Sequence, residues 1–424
     1  MNNSNESSFW LRLDNAAKIY PSAKGRDLTS VFRITAVLEE TVKARQFFEA
    51  IDAIEDKFPY YKVKLKAGFF WYYLEHHNLP IAVAPDSEIP CKAFNKDELM
   101  FRVLVKKNNI SVEFSHILTD GTGAFEFLKT ILLSYFGKCG VGVLNAVKSN
   151  NINKNDQEEF EDAFNRYYKN VKSPRIKMPK AFNIPFRLKK TARFKLLTAT
   201  LPLNKILAKA KEFDVSLTDY LSAVYIYSLQ EIYDQLPKAR KRKCNKIIRI
   251  QVPVNLRKIF PSETMRNFSL FVMPGIDLRL GNYSFEEIVK TVYHQIQLAT
   301  DPKLISKNIS RNVGGEKNPF IRVMPLFIKS FVLSRLYINN TKNFSGVVTN
   351  YGKVDLSPQI NEQIKKFIFI PPPPNKLLKI NCGVVGFDNK LVLSFGNITV
   401  SKELERKFLS FLMAQGIPVK IINR

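Results

Sequence analysis

Phe114-Ser115-His116-Ile117-Leu118-Thr119-Asp120-Gly121-Thr122-Gly123 is the stretch on which the reading of this chain turns. Upstream of it, Ile110, Val112 and Phe114 alternate with polar residues, the period of a strand, and His116 keeps their parity. Such a strand delivers the imidazole to an interior surface, where desolvation favours the neutral ring that a general base requires. Downstream, Ala124, Phe127, Leu128, Ile131, Leu132 and Tyr135 share one helical face, with Gly137 as the expected stop. Asp120 sits in the turn between strand and helix and can order that loop. Gly121 and Gly123 allow tight backbone geometry there. On these residues alone His116 is either a packed structural histidine or a catalytic base.

Around this centre, strand and helix patterns alternate along the whole chain. Strands are expected at residues 31–38, 61–75, 101–105, 110–116 and 194–203, and again at 247–254, 269–280, 345–349, 366–370, 378–387 and 391–398. Helices are expected over 44–58 and 158–168, in two segments after residue 203, and in a final segment that begins near Lys402. Ser216-Leu217-Thr218-Asp219 and Ser284-Phe285-Glu286-Glu287 both read as capping boxes. The second heads a helix with Phe285, Ile288, Val289, Val292 and Ile296 inward. Residues 145–190 are polar and rich in Asn, Lys and Pro, a crossover between domains. We therefore expect a mixed α/β chain in two lobes, residues 1–175 and 176–424. Many strands follow one another without a helix between them, which argues against a purely parallel sheet.

A chain of 424 residues with 45% apolar content has ample material for a large core. Its 65 basic and 38 acidic side chains give a net charge of +27, which attracts anions: nucleic acid, an acidic membrane surface or phosphorylated ligands. A solvated lysine-rich surface produces the same excess. Cys91, Cys139, Cys244 and Cys382 lie far apart without a CxxC pair, so neither a disulfide framework nor a structural metal site is expected. Isolated thiols fit a reducing compartment. Residues 1–8 lack the pattern of a secretory signal, and no apolar run reaches the roughly 18 residues of a membrane span. The expectation is a soluble cytoplasmic protein, with peripheral membrane contact left open.

The arrangement His116-x-x-x-Asp120-Gly121 resembles the HxxxDG signature of the coenzyme A-dependent acyltransferase superfamily, which includes chloramphenicol acetyltransferase, alcohol acetyltransferases and the condensation domains of peptide synthetases. Further segments are similar in order, most of all to bacterial alcohol acetyltransferase-like proteins: Leu13-Asp14-Asn15-Ala16-Ala17-Lys18, Lys57-Phe58-Pro59 and Gly68-Phe69-Phe70-Trp71-Tyr72-Tyr73. Val252-Pro253-Val254-Asn255-Leu256-Arg257, Asn267-Phe268 and Thr349-Asn350-Tyr351-Gly352 complete the run. The resemblance implies two chloramphenicol-acetyltransferase-like lobes, each a mixed sheet with flanking helices, and a tunnel at their interface. It implies His116 as general base, Asp120 as a structural carboxylate paired with Arg257, and Gly121 in the turn. Asn350 and Tyr351 become candidates for the tunnel wall or the oxyanion site, against the alternative of a plain turn ending in Gly352. The implied reaction moves an acyl group from acyl-coenzyme A, a co-substrate, to a small alcohol or amine. No bound cofactor, no metal and no covalent acyl-enzyme are expected, and a monomer suffices.

Condensation domains carry two adjacent histidines, and here Ser115 takes the first position. This favours a free thioester and leaves a donor bound to an acyl-carrier protein as the alternative. A non-catalytic basic binding protein is a third reading, disfavoured by the presence of both His116 and Asp120. Other signals are read blandly. The basic run at 238–243 is taken as a solvated loop, so nucleic acid is not an expected partner. His76-His77 is taken as a strand end and His294 as surface or packing. The prolines at 371–374 are taken as a rigid connector. The apolar segment 323–338 is taken as core packing beside the tunnel, the alternative being an amphipathic helix on a membrane.

Overall fold

A computed structural model describes residues 9–23, 29–86, 89–141, 156–171, 178–190 and 194–423. Residues 1–8, and 145–155 and 172–177 of the expected crossover, lie outside the described residues. The chain is mixed α/β, built on two large sheets and a small one.

The first sheet has five strands in the order Ile364–Ile370, Val31–Leu38, Asn109–Ser115, Phe101–Lys106, Val83–Pro85. Its pairs are antiparallel except the last. Every residue of Asn109–Ser115 is buried. Ile110, Val112 and Phe114 enter the core, and the opposite parity buries Thr35 on Ser111, and Glu113 between Arg33 and Arg102. Helices Ala44–Asp52 and Gly121–Lys138 cover this sheet, and all six apolar residues expected inward on the second helix are buried.

The second sheet runs Ser269–Val272, Ile247–Asn255, Gly346–Val354, Ile380–Phe387, Lys390–Asn397, Lys195–Pro202, Lys420–Asn423. Gly346–Val354 is parallel to both of its neighbours and the other pairs are antiparallel. Helix Leu217–Asp234 lies buried beneath it between Phe285–Ala299 and Glu403–Ala414, and both expected capping boxes are formed. The strand Ile364–Ile370, although late in the chain, is the edge of the first sheet. It also packs against Ile380–Phe387 and Lys390–Asn397, with the rings of Phe367 and Phe387 5.1 Å apart, and so joins the two large sheets.

Several elements differ from the sequence reading. Residues 61–75 form a hairpin, Val63–Ala67 with Tyr72–His76, because Gly68 N–H turns back to the Trp71 carbonyl at 3.0 Å. Residues 269–280 break at Pro274 into Ser269–Val272 and Gly275–Asp277, which pair in succession with Ile247–Asn255. The helix expected over 158–168 shrinks to Ala163–Arg166. The helix Gly121–Lys138 runs through Gly137 and stops at Gly140, whose φ of 80° is the left-handed conformation that ends a helix. The segment 323–338 is not core: helix Leu326–Thr341 buries only Lys329 and Thr341.

Candidate active site

Strand Asn109–Ser115 ends one residue before His116, and its N–H donates to the Ser30 carbonyl at 2.9 Å. The His116 ring packs on Phe32, with centroids 4.5 Å apart, and stacks near Tyr20 at 5.4 Å. Nδ1 lies 3.1 Å from the Thr119 carbonyl oxygen. A carbonyl only accepts, so Nδ1 carries the proton and Nε2 keeps its lone pair. Burial among these groups lowers the His116 pKa from its ordinary value, with Asp120 opposing more weakly. The ring is therefore a neutral imidazole at pH 7 with one unprotonated nitrogen.

Asp120 caps helix Gly121–Lys138. Its Oδ1 accepts from Thr122 N–H (3.1 Å) and Gly123 N–H (3.3 Å), and its Oδ2 from Phe268 N–H (2.8 Å) and Arg257 Nη1 (2.8 Å). Four donors fill the acceptor capacity of a carboxylate, so Asp120 holds the turn together. Arg257 spends its other donors on the Thr264 and Arg266 carbonyls and on Asn255 Oδ1. Residues 264–268 thus form a brace across the turn. The Met265 carbonyl takes the hydroxyls of Tyr61 and Thr119 at 2.8 and 2.6 Å. Asn267 Nδ2 donates to the His116 carbonyl and to Asp14 Oδ2, both at 3.0 Å. Asp14 is buried, and desolvation raises its pKa to about 6 despite Arg266. A small core that includes Phe164, Leu256, Phe268 and Ile309 backs the brace.

The two glycines differ in demand. A Cβ at Gly121 would touch the Tyr351 ring at an ordinary 3.6 Å, whereas one at Gly123 would collide with Thr119 Oγ1 and the Met265 carbonyl. Ser115, in the place of a second histidine, is held by Ser30, with Oγ atoms 3.0 Å apart.

His116 lines a cavity of about 1210 Å³ whose walls come from both large sheets. Asn350 and Tyr351 lie in its wall. A bulge between Asn350 and Lys353 sets them there, with Gly352 at φ 100°. Asn350 Oδ1 accepts from Gly352 N–H (2.9 Å), and its Nδ2 donates to Thr218 Oγ1 (3.0 Å), which leaves one amide hydrogen. Burial pushes the Tyr351 phenol well above its usual range, so it stays a donor. The sequence reading missed Tyr20 and Pro371–Pro374, which also line the cavity. Pro371 packs where only glycine fits, on Gly383. Four prolines in a row have no periodicity, so nothing in their pattern marked which surface they cover. Among the described residues no group of three metal-ligating side chains is present, and all four cysteines are free.

Comparison with solved structures settles the architecture. TRI101 of F. sporotrichioides, crystallised with coenzyme A and T-2, superposes with a TM-score of 0.64 at 10% identity over 97% of this chain and 99% of that one. This is the two-lobed fold of coenzyme A-dependent acyltransferases and condensation domains. The epimerization domain of tyrocidine synthetase B matches at a TM-score of 0.59 and 12% identity, covering 96% of each chain. The starter condensation domain of rhizomide synthetase RzmA matches at 0.57 and 12%, again over 96% of each. No family model matches the sequence, and no curated protein matches it.

Proposed function

We propose that this protein is an acyltransferase that moves an acyl group from a coenzyme A thioester to an alcohol or amine, with His116 as general base. The observation that carries the reading is the His116 geometry. Its Nδ1 proton is committed to a backbone carbonyl, and its Nε2 is the free base of a ring that lines a cavity walled by both sheets.

In the proposed reaction, Nε2 takes the proton of the acceptor O–H or N–H as that atom attacks the thioester carbonyl. The C–S bond then breaks, and the imidazolium returns the proton to the leaving thiolate, so the products are the ester or amide and free thiol. General base catalysis of this kind contributes about 10²–10⁴-fold. Holding both substrates in one cavity adds an orientation term. The Tyr351 hydroxyl and the remaining Asn350 amide hydrogen are the proposed donors to the oxyanion. Asp120 and Arg257 act at one remove, by fixing the turn that carries His116. The chemistry asks nothing of a metal or resident cofactor, works within one chain, and suits a reducing cytoplasm, where the four free thiols persist.

A carrier-bound acyl donor is the second reading, favoured by the likeness to a starter condensation domain. Offering acyl-coenzyme A and acyl-carrier protein with the same acceptor separates the two. Transfer from the carrier alone would replace the first reading. Thiol release that needs acceptor and is lost in His116→Ala is the expected result with acyl-coenzyme A.

A further inference from the structure

Helix Leu326–Thr341 is inside out. It buries Lys329, at 3% exposure, and turns Phe327 (74%), Phe331 (62%) and Val332 (43%) to solvent. The short helix Pro319–Val323 ahead of it exposes Phe320 (81%) and Val323 (67%). Beside it, the turn of hairpin 63–76 exposes Phe69 (72%) and Phe70.

These pieces are locked into one face. Leu326 N–H donates to the Phe69 carbonyl at 2.9 Å. The Lys329 ammonium donates to the carbonyls of Phe70 (3.0 Å) and Arg322 (3.1 Å) and sits 3.7 Å from the Trp71 ring centroid. Aromatic groups held rigidly toward water are a persistent cost unless an apolar medium covers them.

The charge around the face selects that medium. No Asp or Glu occurs in residues 57–74 or in residues 317–354, while Lys317, Arg322 and Arg335 are exposed there; Lys66, also exposed, is paired with Glu75 at 3.4 Å. We propose that this face docks on an anionic lipid surface, with the phenylalanines entering the acyl boundary and the basic side chains meeting the headgroups. A second copy fits poorly, because two faces with this excess of basic over acidic side chains repel one another. The same helix continues to Tyr337, Asn340 and Thr341, which line the His116 cavity. Docking therefore puts one wall of the cavity on an element that touches lipid.

The test is co-sedimentation of the full chain with vesicles of mixed phosphatidylcholine and phosphatidylglycerol. The wild type should bind, and bind at least about tenfold more weakly to pure phosphatidylcholine. Phe327→Ser combined with Phe331→Ser should lower binding by about tenfold or more while leaving the melting temperature unchanged, since both rings are exposed. Arg322→Glu with Arg335→Glu should abolish the preference for the anionic lipid. His116→Ala should bind like the wild type, which separates docking from catalysis. Absence of vesicle binding, or equal binding by the Phe327/Phe331 variant, overturns the proposal. A concentration-dependent dimer that this variant disrupts, without vesicle binding, would assign the face to a second copy and overturn it equally.

Discussion

At the residue scale, each polar atom near His116 is already spent on a defined partner or left free for one. Nδ1 is tied to Thr119 and the ring pKa is lowered by burial, so the proposed base is already free at neutral pH. The acid limb of kcat/KM should inflect below the ordinary histidine value of about 6.5 and stay flat above it. An inflection above that value would contradict the assignment. The linkage has the same sign. The folded state holds the neutral ring, so this site's contribution to stability is complete above about pH 6.5 and falls as pH drops toward the folded pKa. Asp120 and Arg257 are a second matter of accounting. Asp120→Asn or Arg257→Ala strands a buried partner and should each cost about 3–5 kcal/mol. The double variant should lose far less than the sum of the two, read by denaturant melts. Additive losses would break the pairing. The turn was legible in the spacing of His116 and Asp120, and the pairing with Arg257 only through the resemblance to the acyltransferase family. The brace was not, because it works through the carbonyls of Thr264, Met265 and Arg266, and a backbone carbonyl has no letter in a sequence.

At the scale of elements, the periodic segments were read well and the breaks were read poorly. Ile110, Val112 and Phe114, and the apolar face of Gly121–Lys138, announce themselves because burial imposes a period. The hairpin at 63–76 was read as one strand because its turn, Gly68 to Trp71, is filled with aromatic residues that favour strands. The break at Pro274 was hidden for a similar reason: both halves pair with the same strand. Helix Leu326–Thr341 misled because an apolar composition says nothing of which side faces out. One glycine in the active turn carries a sharp prediction. Gly123→Ala should destabilise by about 3 kcal/mol by forcing Thr119 and Met265 apart, whereas Gly121→Ala should be much milder. Equal melting of the two variants would show that the turn yields more easily than its packing suggests.

At the scale of the whole molecule, two lobes were legible in the alternation of elements and in the ordered family-like segments. The strand Ile364–Ile370 crossing to the first sheet was not, since sequence order carries no signal of long-range pairing. That strand and the 264–268 brace tie both sheets to the cavity, so a ligand that fills it should stabilise the molecule as a unit. A non-reactive thioether of coenzyme A at a hundredfold excess over its Kd should add about 2.7 kcal/mol, seen as a raised melting temperature. An unchanged melting temperature would remove coenzyme A as the ligand of this cavity. The most direct test of the central claim is thiol release from a panel of acyl-coenzyme A donors with simple alcohols and amines, wild type beside a folded His116→Ala variant. The account predicts acceptor-dependent release that falls by about 10²–10⁴-fold in the variant. Release at the wild-type rate from His116→Ala would contradict it.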